Sequence, residues 1–466
     1  MKTILRFILL ALAWLPAWAS AAGRPPNIII LFADDMGWGD LGAHGHPFAK
    51  TPAIDRLVAT GCSLDQFYVT APVCSPSRAG LLTGRIQNRF GMQYLIRDRG
   101  PHPIFHHIPV EEPTIPRLLK QAGYTTAHIG KWHVSFLGRK GEPTMTDYGF
   151  DHSLVLAAGR NTSYLDSTWT RNGARISTKG KWSYEVYIDE AIDFIKKAAD
   201  RPFLINLWSF APHQEVDCSP RFRELYADRT EPEQYYYGAL SQMDEQYGRL
   251  LDYLDREGLA DNTIIIFSSD NGPEPHLIPW SNRARGSAGG LRAGKHTLYE
   301  GGIRVPGVIR WPGVTRPGSV SHEVAWTADL LATFAALTGV ATPSGLPLDG
   351  VDLRPALRGG RLERAQPLFW QFANGVTLRD GVRLQSPGLA VRGDHWKLHC
   401  DFNFGAVELY NLDTDPGEKW NMKDDQPAIA AALLEKLRML HADVNGPYSK
   451  SARFINPEIP VLADER

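Results

Sequence analysis

The hydrophobic pattern alternates between short, unbroken apolar runs and amphipathic segments. The runs 27–33, 203–210 and 263–269 are mostly apolar and predict strands, and the β-branched run 27–33 is typical of a parallel strand covered on both faces. The segment 114–122 carries apolar residues at helical spacing and precedes a predicted strand, 123–129. This alternation predicts an α/β fold with a large mixed, mostly parallel sheet sandwiched by helices.

The pattern changes from about Pro367 onward. Short apolar runs at 388–392, 396–399 and 408–410 predict antiparallel strands. Downstream, four apolar residues recur at helical spacing: Ile429, Leu433, Leu437 and Leu440. We therefore predict a smaller C-terminal α+β domain in which antiparallel strands pack against one helix.

The first residues resemble a secretory leader. Lys2 and Arg6 precede an apolar run, and small residues suitable for cleavage follow it. No later run of about 18 apolar residues is present, so we expect no membrane insertion. The protein is predicted to be exported to a periplasm, to the outside or, in a eukaryotic host, to a lysosome-like compartment. The predicted divisions are a signal peptide at 1–21, a catalytic domain at 22–365 and a C-terminal subdomain at 366–466.

Composition narrows the possible partners. The formal net charge of the 466 residues is −1, and no basic block stands out, so we expect no nucleic-acid or membrane-surface partner. The four cysteines are too few for a disulfide scaffold. If Cys74 is chemically modified, Cys62, Cys218 and Cys400 permit at most one disulfide and leave one thiol over.

One segment, 72–84, places a cysteine ahead of a proline and an arginine. If a helix starts here, Pro76 lies in its first turn, where a missing N–H costs nothing. Cys74 would then lie at the positive end of the helix, with Arg78 about one turn on. An oxyanion or sulfur anion at Cys74 would be stabilised. The alternative for the cysteine alone is a buried structural residue.

The order Cys74, Pro76, Arg78 and the following run 79–85 resembles the signature of the type I, formylglycine-dependent sulfatases of the alkaline-phosphatase superfamily. The resemblance implies an alkaline-phosphatase-like fold and hydrolysis of sulfate monoesters. It also implies that a formylglycine-generating enzyme reads this signal and converts Cys74 into formylglycine (3-oxoalanine). The hydrate of that aldehyde would be the nucleophile.

Oxygen-bearing side chains follow two of the predicted strands. Asp34 and Asp35 end one strand, and Asp270 and Asn271 end another. Ligands of open parallel sheets lie beyond the carboxyl ends of strands, so we expect these groups to converge. Such hard ligands suit Ca²⁺ or Mg²⁺, whereas the alternative is a solvated loop or a helix cap. The sulfatase resemblance implies calcium, held by these four residues together with the oxygen of modified Cys74.

Two further residues come from a second resemblance. The segment 123–133 is similar to the second sulfatase signature and implies that Lys131 and His133 belong to the site. If the strand continued, the two side chains would point the same way. The alternative is an exposed loop lysine and a packed histidine. His213 follows the strand 203–210, and in sulfatases a histidine at a similar place protonates the leaving group.

The glycine-rich segment 289–306 resembles the Gly-Lys segment of arylsulfatases and N-acetylgalactosamine-6-sulfatases more than that of choline sulfatases. The resemblance implies that the ammonium of Lys295 binds the sulfate, as Lys131 and His213 also do. A solvated loop lysine is the alternative. Arg304 is predicted to be structural.

The implied mechanism gives each residue a role. The hydrated formylglycine, activated by Ca²⁺ and Arg78, attacks sulfur and forms a covalent sulfated intermediate. His213, assisted by Lys295, protonates the departing alcohol. His133 then removes the proton from the second hydroxyl, and sulfate is expelled. Lys131 and Lys295 offset the charge that develops on the sulfonyl oxygens.

The substrate is predicted to be a sulfated glycan attacked from its end. Polar residues near the motifs are candidates for gripping it, or are merely solvated: Arg97, Arg99, His102, His106, His107, His276, Arg283 and Arg285. Asn161 begins a glycosylation sequon. Alternative functions are a phosphonate monoester or phosphodiester hydrolase of the same superfamily, and a catalytically silent exported binding protein.

Overall fold

The structure is a computed structural model that describes residues 24–96, 107–138, 140–156, 164–213, 215–275, 282, 284–372, 375–377 and 383–445. Several predicted features lie outside the described residues: the signal peptide, the sequon at Asn161, and Arg97, Arg99, His102, His106, His276 and Arg283.

The strands of the described chain form one large sheet and smaller ones. Their bounds are β1 (Asn27–Ala33), β2 (Cys62–Leu64), β3 (Phe67–Tyr68), β4 (Thr125–Gly130), β5 (His152–Leu156), β6 (Thr168–Arg171), β7 (Ala174–Ser177), β8 (Phe203–Trp208), β9 (Thr263–Ser269), β10 (Gly307–Arg310), β11 (Ser319–Ser321), β12 (Ala325–Trp326), β13 (Leu368–Gln371), β14 (Gly375–Thr377), β15 (Arg383–Gln385), β16 (Leu389–Arg392), β17 (Trp396–Cys400) and β18 (Glu408–Asn411).

The large sheet has ten strands in the order β11-β2-β10-β9-β1-β8-β4-β5-β6-β7. Its five central strands, from β9 to β5 in that order, run parallel to one another. The antiparallel pairs lie toward the two edges. The predicted mixed, mostly parallel sheet is therefore confirmed.

Helices cover both faces of this sheet. Their bounds are α1 (Pro52–Thr60), α2 (Cys74–Thr83), α3 (Ile115–Gln121), α4 (Ser183–Ala198), α5 (Pro220–Glu224), α6 (Glu231–Arg256), α7 (Glu300–Ile303), α8 (Asp329–Thr338), α9 (Arg354–Leu357) and α10 (Pro427–Asn445). Successive residues of β1 point to opposite faces, so Ile28 packs in one core with α2, α3 and α8, and Ile29 in another with α1, α4 and α6.

The C-terminal strands form a separate antiparallel sheet in the order β13-β16-β17-β18. Helix α10 contacts this sheet and buries Leu433, Leu437 and Leu440. The predicted antiparallel sheet with one helix is thus confirmed. Its apolar residues belong to the same hydrophobic core as those of α2 and α8, so the two sheets share one core.

Candidate active site

The central parallel strands bring the predicted metal ligands together. Strands β1 and β9 pair with Ala33 opposite Ser269, so the residues that follow them are neighbours. The amide of Asp35, which has a left-handed φ of 65°, donates to Asp270 Oδ1 at 3.1 Å. Asn271 Nδ2 donates to Asp35 Oδ1 at 2.7 Å. The convergence predicted from strand ends is present.

Cys74 joins these residues from the other side of the site. It is the first residue of α2, as the sequence predicted, and its Sγ lies 3.3 Å from Asp34 Oδ1. One ligand atom from each of Asp34, Asp35, Cys74 and His213 lies within 4.8 Å of the others, and all four residues are buried. We call Asp34, Asp35, Cys74, Asp270 and Asn271 the strand-end cluster.

Three cations pair with the carboxylates of the strand-end cluster. The Arg78 guanidinium donates to Asp270 Oδ2 through Nε at 2.9 Å and also pairs with it through a terminal nitrogen at 2.7 Å. Lys131 Nζ lies 2.5 Å from Asp34 Oδ2, and Lys295 Nζ lies 2.7 Å from Asp35 Oδ2. These cations leave the site rich in donors that an anionic ester would contact.

The pKa values of two cluster carboxyl groups are shifted in opposite directions. Burial and the nearby Asp270 charge raise the pKa of Asp34 to about 7, despite Lys131 and Arg78. Burial also opposes ionisation of Asp270, yet the charges of Arg78, Lys131 and Lys295 lower its pKa to about 2. Buried carboxylates that repel one another in this way are stabilised by a bound cation.

The Cys74 thiol lies among carboxylates. Burial, followed by the charges of Asp270 and Asp34, raises the pKa of this thiol well above its usual value. Arg78 pairs with the same two carboxylates. Carboxylates therefore surround the sulfur more closely than the sequence showed, and the stabilisation of an anion at residue 74 stays a prediction.

The donor set fits a hard divalent cation. Among the described residues, no donor bonds the buried Oδ1 of Asn271, which leaves an amide oxygen for a ligand. The carboxylates of Asp34, Asp35 and Asp270 supply further oxygens at the same place. Oxygen-only sets of this kind suit Ca²⁺ or Mg²⁺. The cluster is thus able to hold a metal ion.

The histidine placement differs in part from expectation. Strand β4 ends at Gly130, and His133 has a left-handed φ of 57°, so the strand alternation does not extend from Lys131 to His133. His213 lies next to the cluster, with Nε2 3.8 Å from Asp35 Oδ2. The Tyr164 hydroxyl donates to its carbonyl at 2.5 Å, which fixes the turn after β8.

The loop that carries Lys295 packs tightly against the turn after β9. The amide of Lys295 donates to Pro273 O at 2.9 Å, and the amide of Gly272 donates to Gly302 O at 3.0 Å. A Cβ at Gly272 would lie 1.8 Å from Gly301 O, so only glycine allows this approach. These contacts set the position of Lys295 relative to the cluster.

Sequence reasoning missed two residues beside Lys295. Glu274 is 1% exposed, and its Oε2 lies 3.5 Å from Lys295 Nζ. His296, also buried, places Nε2 4.0 Å from Glu274 Oε1. The sequence offered one signal for Glu274, which is that it follows Asn271 by only three residues. That spacing does not reveal which way the carboxylate points.

A second missed group braces the same loop from the C-terminal sheet. Lys397 Nζ lies 2.8 Å from Glu300 Oε1 and 3.1 Å from Glu418 Oε1. Glu418 also bonds the Glu300 amide at 2.6 Å and His399 Nε2 at 2.6 Å. We call Glu300, Lys397, His399 and Glu418 the brace cluster. Although burial opposes ionisation of Glu418, Lys397 and His399 lower its pKa to about 2.

The remaining candidate residues within the described chain bond to other groups of the protein. Arg304 donates to Asp65 O at 2.7 Å and pairs with Glu300, in keeping with the predicted structural role. His107 bonds Glu142 at 2.9 Å, and Arg285 bonds Ala284 O at 2.8 Å. All four cysteines are free and buried, so none forms a disulfide. No helix within the described ranges is long and apolar enough to cross a membrane.

The fold and the site define a class of protein. An alkaline-phosphatase-like sheet carries a buried nucleophile position, oxygen ligands for a metal and a ring of cations, which together suit a hydrolase of anionic esters. Residues 26–340 match the family model described as Sulfatase. Residues 293–443 match the model described as N-sulphoglucosamine sulphohydrolase, C-terminal. The chain belongs to the sulfatase family and is a sulfuric ester hydrolase that cleaves sulfate monoesters.

Individual relatives agree with this assignment. The chain is 35% identical to N-acetylgalactosamine-6-sulfatase of Canis lupus familiaris, over 89% of this chain and 84% of the relative. It is 34% identical to arylsulfatase A of Homo sapiens, over 93% and 90%. A solved structure of Ps i-CgsB with k-i-k-neocarrahexaose superposes with a TM-score of 0.78 at 27% identity, covering 90% of this chain and 93% of that one. The predicted family resemblance is confirmed.

Proposed function

We propose that this sulfatase removes sulfate from the end of a sulfated carbohydrate through a nucleophile formed at Cys74. The observation that carries the proposal is the position of Cys74 Sγ, 3.3 Å from Asp34 and beside His213 in the strand-end cluster. Two similar proteins support the carbohydrate, namely an N-acetylgalactosamine-6-sulfatase and Ps i-CgsB in complex with neocarrahexaose. An exo mode of attack rests on the sequence resemblance alone.

Two groups complete the proposed site. Conversion of Cys74 to formylglycine supplies a nucleophilic hydroxyl at a position where the unmodified thiol stays protonated. Asp34, Asp35, Asp270 and Asn271 would hold Ca²⁺, which would supply Lewis acidity and offset the repulsion among the carboxylates. The same oxygens suit Mg²⁺, and Ca²⁺ is preferred because the family resemblance implies it.

The chain's own residues bind the ester and move protons. Lys131, paired with Asp34, and Lys295, paired with Asp35, bind the sulfonyl oxygens. His213 donates the proton to the leaving oxygen, since its Nε2 faces Asp35 from the end of β8. His133 accepts a proton from residue 74 in the later step. Arg78 orients the carboxylates that surround the nucleophile.

The cellular context follows from the same proposal. The leader at 1–21 directs export, and a formylglycine-generating enzyme is the required partner for Cys74. The chain therefore acts in a periplasm, in a lysosome-like compartment or outside the cell.

The test combines mass spectrometry with turnover. The peptide containing Cys74, isolated from the native host, is expected to show the mass of formylglycine, and the protein is expected to hydrolyse a chromogenic aryl sulfate. Cys74→Ala should abolish turnover, and Cys62→Ala, at a buried free cysteine outside the cluster, should retain it. A panel of sulfated monosaccharides and oligosaccharides then identifies the sugar and the position attacked. An unmodified thiol with normal turnover would overturn the proposed nucleophile.

A further inference from the structure

Glu274 places a fixed negative charge beside a lysine that the proposed function assigns to sulfate binding. Lys295 Nζ lies between Asp35 Oδ2, at 2.7 Å, and Glu274 Oε2, at 3.5 Å. Asp35 belongs to the strand-end cluster. Glu274 does not belong to it, and although His296 Nε2 lies 4.0 Å from its Oε1, its carboxylate lies close enough to Lys295 to act on an anion that Lys295 contacts.

Backbone contacts hold Glu274 where it is. The turn 270–274 and the loop 293–302 are joined by the bonds Lys295 N to Pro273 O, at 2.9 Å, and Gly272 N to Gly302 O, at 3.0 Å. Glu274 is 1% exposed and Lys295 is 3% exposed, so water screens their charges little. The backbone that carries Glu274 is therefore anchored to the loop that carries Lys295.

The charge of the ligand decides how strongly this carboxylate acts. A sulfate monoester is a monoanion, whereas released inorganic sulfate is a dianion and a phosphate monoester carries about −1.5 to −2 at pH 7. Coulombic repulsion scales with the product of the charges, so Glu274 repels a dianion about twice as strongly as a monoanion. Without Glu274, the positive charges of Arg78, Lys131 and Lys295 would favour binding of the dianion.

We infer that Glu274 is a specificity-determining residue that biases the sulfate pocket toward monoanions. It favours the substrate ester over the product sulfate, which promotes product release, and over phosphate monoesters of the same shape. This inference rests on the proposed function, because it takes the anion bound by Lys295 to be the sulfate of the substrate. It assigns Glu274 no step in the chemistry.

The experiment compares two tetrahedral anions of different charge, sulfate and sulfamate. Their binding to the matured protein is measured as inhibition of aryl sulfate hydrolysis and, independently of turnover, as thermal stabilisation. Glu274→Gln is expected to strengthen sulfate binding about tenfold relative to sulfamate binding. The preference for aryl sulfate over aryl phosphate, as a ratio of kcat/KM values, should fall by about the same factor.

Two control variants separate charge from structure. Glu274→Asp keeps the charge and should retain the wild-type ratios. Glu190→Gln removes a carboxylate that is likewise buried and paired with a cation, but lies on α4 against Arg171. It should leave the ratios unchanged. A loss of activity in Glu274→Gln with both ratios within about twofold of wild type would mean a purely structural role and overturn the inference.

The outcomes also separate this inference from the proposed function. If matured wild-type protein hydrolyses neither aryl sulfates nor the sulfated sugars, the proposed function fails, and thermal stabilisation by the two anions still decides the effect of charge. If wild-type protein binds neither anion, Lys295 does not lie in a sulfate pocket and the inference is overturned. If it turns over aryl sulfate with unchanged ratios in Glu274→Gln, only the inference fails.

Discussion

The strand-end cluster and the brace cluster both bury several charges, yet their charges are balanced in different ways. In the brace cluster, Lys397 lies between two carboxylates, and backbone and histidine donors bond Glu418. In the strand-end cluster, the pKa of Asp34 rises to about 7, and the Asn271 Oδ1 has no donor among the described residues. Carboxylates whose partners all lie within the protein indicate a structural role, whereas a buried carboxyl group with a raised pKa beside an amide oxygen without a donor indicates a site for a ligand.

The largest expected effect tests the strand-end cluster through Asp270→Asn. This change removes the charge that pairs with Arg78 and one oxygen of the metal site, while keeping the side-chain shape. We expect kcat/KM for an aryl sulfate to fall about 10³-fold. Circular dichroism and the unfolding midpoint control for folding. A loss of less than about tenfold in a folded variant would show that the cluster is not the reaction centre.

Substitutions in the brace cluster should lower the stability of the fold. Lys397→Met leaves Glu300 and Glu418 buried without their shared cation, which is expected to lower the free energy of unfolding by about 3–5 kcal/mol. Chemical denaturation measures the change. Adding Glu300→Gln to Lys397→Met should recover part of the loss, since one stranded charge is gone. A change below about 1 kcal/mol would contradict a structural role for the brace.

Calcium should distinguish the two clusters directly. Calcium at about 100 times its dissociation constant is expected to stabilise the wild-type protein by about 2.7 kcal/mol, measured as a rise in the unfolding temperature over a chelator control. Asn271→Ala should weaken this response, because it removes the oxygen left without a donor. Lys397→Met should keep it. Equal responses in all three proteins would place the bound calcium elsewhere.

The last prediction concerns the dependence of stability on pH. Lys397 and His399 lower the pKa of Glu418 from its usual 4.5 to about 2, against the effect of burial. A lowered carboxyl pKa stabilises the fold above pH 4.5, and this contribution disappears as the pH falls toward 2. Glu418→Gln should therefore lose stability at neutral pH and show a flatter dependence on pH between 4.5 and 2. A dependence as steep as that of the wild type would assign the acid transition to other groups.

The fold and the strand-end cluster could be predicted because short-range pattern determines them. Asp34 and Asp270 directly follow buried runs, and strands β1 and β9 are neighbours in register. Lys131 and His213 also follow strands, but their roles rest on the family resemblance. Lys397 could not be predicted, because it lies within β17 and not at the end of a strand, and alternation in β17 does not reveal which face is buried. The divisions at 21 and 365 stay predictions.

The burial of Cys74 also sets an order of events during synthesis. Cys74 is 1% exposed in the folded chain, so any enzyme that converts its side chain must reach it before the fold closes. The ribosome releases this residue early, whereas Lys397 and Glu418, which hold the Lys295 loop in place, emerge some three hundred residues later. Lys397 and Glu418 are therefore synthesised well after Cys74, and the Lys295 loop that they hold is braced only after that.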